Sequence, residues 1–266
     1  MRNMKVKGLT LEQGRPKIAA IITGKNHDEI LNQVSKAMLM PCDLLEWRAD
    51  YFFGEMEGLD DKIEKTEAHM EMIRVLDDID YKTESMPIIF SLRTKNYGGR
   101  VKTSKENIYD LATLAAQSRL VDFVDVELFD DDGQLNKEQV LQHAAEVHSF
   151  NVKVIHSYHE YSRVLTYDET VNLALGMRAM GADIVRIVTR VDTLEQSKAL
   201  LNAAAVLTEG DNDPALIIGT GQAGVPTRIA GGTYGSCIAF AYVEEPTTDG
   251  QFDVKALAET LDKYYV

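Results

Sequence analysis

Two cysteines are all that this chain of 266 residues holds, Cys42 and Cys237, and they stand far apart with no paired spacing. That excludes a Cys-x-x-Cys redox or structural zinc motif. It also fits a reducing compartment. Long apolar runs are absent too: no stretch approaches the ~18 residues of a membrane span, and the opening MRNMKVKGLTLEQGRPK lacks the apolar core of a signal peptide. The simplest expectation is a cytoplasmic protein. Positive charge is scarce, with 28 Lys and Arg against 42 Asp and Glu, a net charge of −14 and a pI near 4.9. Such a surface repels phosphate backbones and anionic membranes, so neither nucleic acid nor a membrane is expected as a partner. A small anionic ligand stays compatible where arginines cluster locally. Also missing is the GxGxxG turn of a dinucleotide fold: after the first apolar run the sequence reads TGKNHDE.

What is present is a repeating alternation. Short β-branched runs recur at 17–23, 43–48, 87–93, 122–128, 152–158, 183–188, 215–220 and 236–243. Amphipathic segments lie between them, among them HDEILNQVSKAM, KENIYDLATLAAQS, KEQVLQHAAEVH, YDETVNLALGMRAMG and LEQSKALLNAAAVLTEG, with a weaker one around 227–234. Strands alternating with helices imply parallel pairing through right-handed crossovers. Eight such units in a chain close to the ~250 residues typical of the fold predict a (β/α)₈ TIM barrel as one domain over 1–266. A doubly wound open sheet is the competitor, and the absent phosphate turn weighs against it. KVKGLTLEQGRPK before the first strand reads as a short hairpin capping the barrel bottom. The charge run over 55–71 reads as a solvated loop and helix face.

Chemistry in such barrels sits at the C-terminal ends of the strands, and polar residues gather there. Glu46 and Arg48 share one face of the second strand, as do Asp125 and Glu127 on the fourth. Arg93 ends the third strand, His159 follows the fifth, Arg186 lies within the sixth and Arg228 just beyond the seventh. Any one of them alone is explained by a barrel-rim ion pair. Several converging from different strands favour a polar pocket, in which Arg48, Arg93, Arg186 and Arg228 supply carboxylate-matching forks. Asp125 and Glu127, roughly 7 Å apart along one strand, leave a glycosidase-like carboxylate pair open on spacing alone. His156 and His159, three apart on an extended segment, point to opposite faces and are no helical HExxH pair; His156 is expected to pack under the helix layer. KNYGGR lacks the Walker spacing and reads as a lid beside the pocket, with Arg100 on its rim.

The same residues carry a family resemblance. LLEWRAD, SLRTKNYGGR, VDVELF, SYHEY, GADIVRI, PTRIAGGTYGS and TTDGQ occur in that order between residues 44 and 251. They resemble the EWR, FR-x-x-x-E-G-G, DVEL, S-x-H-D-F, GAD-x-x-K-I, S-R-L-A-G-E-x-F-G-S and S-A-P-G-Q segments of type I 3-dehydroquinate dehydratases. The resemblance implies a TIM-barrel lyase of the shikimate pathway that converts 3-dehydroquinate, a small anionic hydroxy-keto acid, to 3-dehydroshikimate. It implies no metal and no organic cofactor, and a homodimer. Carried over by position, His159 moves protons, Glu46, Arg48 and Arg93 bind substrate hydroxyls, and Arg228 with Gln251 holds the carboxylate. The DVEL match makes Asp125 and Glu127 a network beneath the pocket in which Glu127 orients His159.

Two departures matter. Where the family keeps its imine-forming lysine this chain has Arg186, and the third-loop glutamate is Tyr97, a hydrogen-bond donor toward substrate that cannot stabilise an imidazolium as a carboxylate does. Smaller changes put Thr189, Arg190 and Val191 after the sixth strand and Thr247 and Thr248 in the last loop. An imine needs a free amine, and arginine, with its pKa above ~12 and delocalised lone pairs, cannot supply one. Lys153 sits too near the start of its strand to substitute. Three readings remain. The protein is a lyase that works without an imine, with His159 as base and Arg186 as an electrostatic clamp on the enolate. Or it is a non-catalytic binder or sensor of a cyclic hydroxy acid. Or Arg186 is an engineered lysine-to-arginine change in an otherwise ordinary enzyme, which the altered surroundings argue against.

Overall fold

A computed structural model of the protein describes residues 1–54, 62–84, 86–210 and 212–266. A hairpin of β1 (Met4–Val6) and β2 (Leu9–Leu11) precedes the main sheet. Its strands are β3 (Lys17–Ile22), β4 (Leu44–Arg48), β5 (Ile88–Ser91), β6 (Phe123–Glu127), β7 (Lys153–Glu160), β8 (Ile184–Arg190), β9 (Ala215–Thr220) and β10 (Ile238–Tyr242). Around them lie α1 (His27–Ala37), α2 (Ala49–Phe53), α3 (Lys62–Thr83), α4 (Lys105–Ser118), α5 (Lys137–Ser149), α6 (Tyr167–Ala179), α7 (Leu194–Thr208), α8 (Val225–Ala230) and α9 (Val254–Tyr264). The eight main strands are parallel and hydrogen-bonded in the order β10-β3-β4-β5-β6-β7-β8-β9. Ser236 Oγ donates to the Ala215 carbonyl (3.2 Å) across the seam between β9 and β10. This is the expected (β/α)₈ barrel.

The strands form where the sequence is rich in β-branched and other apolar residues, because a parallel strand in this layout is covered on both faces. All six residues of β9 are buried. Helix starts are fixed by side chains that accept otherwise orphaned amide protons: Asn26, Ser104, Asn136, Thr166, Thr193 and Asp253 each cap the helix next in sequence. Thr166 with Glu169, and Thr193 with Gln196, complete reciprocal capping boxes.

Strand alternation sorts the core into two layers. Residues such as Ile18, Trp47, Phe90, Val124 and Ile187 face the helices, while Ala19, Leu44, Ile89, Phe123, Ile155, Ile184, Leu216 and Ile238 face the lumen. The hairpin closes the lower end: Leu11 and Met4 join the lumen cluster, and Lys7 Nζ reaches Asp80 (3.0 Å) and Asp122 (3.3 Å). Moving two residues up keeps the side chain in the lumen, and on five of the eight strands it changes the chemistry, while Ile21, Ile218 and Phe240 stay apolar. Leu44 gives way to Glu46, Ile89 to Ser91, Phe123 to Asp125, Ile155 to Ser157, and Ile184 to Arg186. The barrel is thus oily below and ionic above.

Several boundaries differ from the sequence reading. β7 runs to Glu160, so His159 lies inside the strand, and β5 ends at Ser91, leaving Arg93 two residues past it. The 22-residue α3 is legible in the sequence only in part, as a charged face, because its charges mask its apolar stripe of Ala68, Met72, Val75, Leu76 and Ile79. The part of that charged run over 55–61 lies outside the described residues. KNYGGR folds into a tight turn with Arg100 N–H donating to Asp50 (3.1 Å) and the Arg100 guanidinium 5.1 Å from the centre of the Tyr51 ring. No helix among the described residues is long and apolar enough to cross a membrane.

Two histidines are buried on the helix side of the sheet. His156 packs under α6 with Nδ1 3.4 Å from the Met177 carbonyl, and His143 stacks on Tyr109 at 4.2 Å. Burial lowers His143 to about 3 and His156 to about 4. Below the unfolded histidine value of about 6.5, the unfolded chain takes up protons that the native state refuses, so stability falls as pH falls. His143→Phe, which keeps the ring stack, should narrow the loss of unfolding free energy between pH 7 and pH 5 by roughly 2 kcal/mol. Urea denaturation at the two pH values reads this, and an unchanged loss would show that His143 is not held neutral.

Candidate active site

The centre of the upper lumen is Arg186. Its Nη1 donates to Glu46 Oε1 (2.5 Å) and to Asp125 Oδ2 (2.8 Å), and its guanidinium lies over the face of Phe240, 3.7 Å from the ring centre. Ser91 Oγ donates to Glu46 Oε1 (2.8 Å) and Ser157 Oγ to Asp125 Oδ1 (2.6 Å), fixing both carboxylates from neighbouring strands. Burial opposes the charge on Arg186, but Glu46 and then Asp125 outweigh it and raise the guanidinium further. Burial likewise opposes ionisation of Glu46, and Arg186, Arg93 and Arg48 overcome it, holding the carboxyl at about 2. The expected clamp on a ligand is therefore first a strut: Nη1 is committed to two protein carboxylates.

Beside it lies a second network. Arg93 Nε donates to Glu127 Oε1 (3.0 Å), and His159 Nδ1 lies 2.7 Å from the same oxygen. Burial, then Arg93 and Arg186, push the His159 imidazole well below its usual range, so it is neutral at neutral pH. Burial raises the Glu127 carboxyl, opposed first by Arg93 and then by Lys105. Glu127 Oε1 thus lies against His159 Nδ1 in ion-pair range, but the two are not aligned as a hydrogen bond.

The remaining expected residues divide. Arg48 turns its fork onto Asp50, with Nε and Nη2 at 2.7 and 2.9 Å, so those two donors serve α2 rather than a substrate. Tyr97 is also committed: its hydroxyl donates to the Asp130 carbonyl (2.9 Å), bracing its own loop, instead of presenting a free donor to the site. Gln251 accepts from the Thr247 amide (2.7 Å) and holds the last loop in shape. Arg228 reaches Thr248 Oγ1 (3.0 Å), and no carboxylate is within ion-pair reach of it among the described residues. Burial, with Arg186 adding to it, lowers Arg228 to about 10.

Four arginines and four carboxylates are buried here: Arg48, Arg93, Arg186 and Arg228 against Glu46, Asp50, Asp125 and Glu127. The floor is balanced, not positively charged as the arginines alone implied, and the unmatched cation is Arg228. Buried polar atoms left unsatisfied by protein include Glu46 Oε2, Arg93 Nη2, Glu127 Oε2, Arg186 Nε and Arg228 Nε. Such atoms are costly and concentrate where polar ligands act. Above them opens a cavity of about 620 Å³, lined by Gly98, Tyr161, Arg190, Val191, Thr220, Thr247 and Thr248 among others. The described residues form no cluster of three metal-ligating side chains.

The profile of type I 3-dehydroquinase matches residues 18–266. The chain belongs to the type I 3-dehydroquinase family. It is 30% identical to the 3-dehydroquinate dehydratase of Listeria monocytogenes serotype 4a over 262 residues, 98% of each chain. It is 29% identical to the enzyme of the same name from Clostridium kluyveri, over 97% of this chain and 96% of that one. Among solved structures, the type I 3-dehydroquinate dehydratase of Clostridium difficile, carrying covalently modified comenic acid, superposes with a TM-score of 0.87 at 27% identity, covering 99% and 98% of the two chains. At position 186 this chain carries a guanidinium held between two carboxylates.

Among the site residues that the sequence reading did not single out are Asp50, Phe240 and Tyr161. Asp50 and Phe240 look like ordinary helix and core residues until the fold brings them to Arg48 and Arg186. Tyr161 was legible: Ile155, Ser157, His159 and Tyr161 form one alternating row that faces the lumen.

Removing Arg186 would leave Glu46 and Asp125 close together with only Arg93 Nη2, 4.0 and 3.8 Å away, to offset their charge. Arg186→Ala should cost about 3–5 kcal/mol of stability, as for other broken buried ion pairs. Arg186→Lys, which keeps a cation, should cost clearly less. Thermal or denaturant unfolding of both variants checks this; equal losses would mean that the ion pairs do not hold the upper barrel.

Proposed function

We propose that the protein is a carbon–oxygen lyase that dehydrates 3-dehydroquinate, or a closely related hydroxy-keto acid, without forming an imine. The observation that carries this is the buried His159–Glu127 contact: a neutral imidazole with a carboxylate behind it, in an upper lumen that also holds an unmatched arginine. The 3-dehydroquinate dehydratases among its relatives supply the substrate class.

Each residue then has a task. Arg228, with Thr248 beside it, takes the substrate carboxylate and gains the counter-charge it lacks. Glu46 Oε2 and Arg93 Nη2 remain open to substrate hydroxyls. His159 removes the proton next to the ketone, and Glu127 stabilises the imidazolium that forms. The enolate collapses to the enone, and the leaving hydroxyl takes the proton back from His159 as water. The cations beneath, Arg186 and Arg93, provide the fixed field in which negative charge develops. Neither lysine near these strands is free for covalent work. Lys153 pairs with Asp183 (3.0 Å) at the barrel bottom, and Lys105 donates to the Glu127 carbonyl and to that of Phe129 (3.1 Å).

The product enone absorbs in the ultraviolet, so turnover of 3-dehydroquinate is directly readable. Product is expected from the native chain, and His159→Ala should lower its rate by about 100- to 10,000-fold. Tight calorimetric binding with no product would instead make the protein a binder of cyclic hydroxy acids. Arg228→Met should leave the ligand-free protein as stable as before or more so, since it removes an uncompensated buried charge. It should also abolish the rise in melting temperature that substrate causes. If Arg228→Met keeps that rise, the carboxylate is held elsewhere.

A further inference from the structure

An imine-free lyase needs one more component: a donor aimed at the ketone oxygen. Arg186 Nη1 is spent on Glu46 and Asp125. Tyr161 offers such a donor. It lies one lumen-facing step beyond His159, with the two rings 6.0 Å apart, and its ring packs against the lumen cluster. Its hydroxyl makes no hydrogen bond among the described residues, whereas those of Tyr97, Tyr158 and Tyr265 all donate to protein acceptors. It lines the 620 Å³ cavity together with Thr220 and Thr248.

The opposite wall is cut to fit it. Gly98 has φ +78°, and a Cβ there would lie 2.8 Å from Tyr161 Cε2 and 3.1 Å from its hydroxyl oxygen. The turn after β5 thus approaches the phenol as only glycine can. Burial raises the phenol above its ordinary value against the pull of Arg93, Arg48 and Arg186, so it keeps its proton at neutral pH.

Building on the imine-free lyase, we propose that Tyr161 is a catalytic residue that hydrogen-bonds the substrate ketone oxygen and stabilises the enolate formed when His159 removes the adjacent proton. As that C–H bond breaks, its electron pair forms the carbon–carbon double bond, and the carbonyl π pair moves onto the oxygen facing Tyr161. The pair then returns, the double bond shifts to the position of the leaving hydroxyl, and that hydroxyl departs as water with the proton from His159. Tyr161 ends as it began, a phenol.

Tyr161→Phe removes one oxygen and keeps the ring. It should lower kcat on 3-dehydroquinate by about 100- to 1,000-fold, as for other lost oxyanion donors, with KM changed by less than about threefold. Exchange of the substrate α-proton with D2O, followed by NMR, should fall by a similar factor. In an Arg186→Lys background, where an iminium can serve as the electron sink, the same change should cost less than about tenfold. A native-like kcat in Tyr161→Phe, an equal loss in both backgrounds, or a loss confined to KM would each overturn the assignment while leaving the lyase reading intact. A native chain that neither exchanges nor dehydrates 3-dehydroquinate would overturn both.

Discussion

The upper barrel is organised by the need to pair charge away from water. An ion buried without a partner loses several kcal/mol of hydration, so every arginine that enters the lumen must bring or find a carboxylate. Arg186 sits at the hub of this constraint, bonded to Glu46 from β4 and Asp125 from β6 and resting on Phe240 from β10. Ser91 and Ser157 hold the carboxylates still. One side chain thereby ties four strands together. An arginine suits this task because its planar guanidinium can reach two acceptors and stack at once.

The same commitment redirects the chemistry. A guanidinium has no free lone pair, so position 186 offers no nucleophilic amine, while His159 stands in the same lumen. Glu127, bonded to Arg93, lies beside that histidine, and burial favours its uncharged form. Arg228 is the exception to the pairing rule: among the described residues no carboxylate lies within ion-pair reach of it. Arg48, Arg93 and Arg186 each lie against a buried carboxylate, and Arg228 does not.

Much of this was legible in the sequence. The eight strands announced themselves as β-branched runs because strands covered on both faces must be apolar throughout. Short matches such as VDVELF and SYHEY placed His159, Glu127 and Arg186 on the right strands. What the sequence withheld was pairing. Nothing in LLEWRAD says that Arg48 turns to Asp50 two residues on, since the choice depends on where α2 begins. Tyr97 looked like a substrate donor because only the folded loop brings the Asp130 carbonyl to its hydroxyl. The apparent surplus of lumen arginines vanished once Asp50, Asp125 and Glu127 were seen to be buried with them. Tyr161 could have been found by extending the alternation of β7 one step beyond His159.

The central claim is that chemistry in this barrel proceeds with no covalent bond to the protein. Its most direct test is the intact mass of the native chain after incubation with 3-dehydroquinate and sodium borohydride, while the ultraviolet signal of product is followed in parallel without reductant. The account expects product to form and the protein mass to remain unchanged. A reduced adduct on the native chain, on Lys105 or any other lysine, would contradict it.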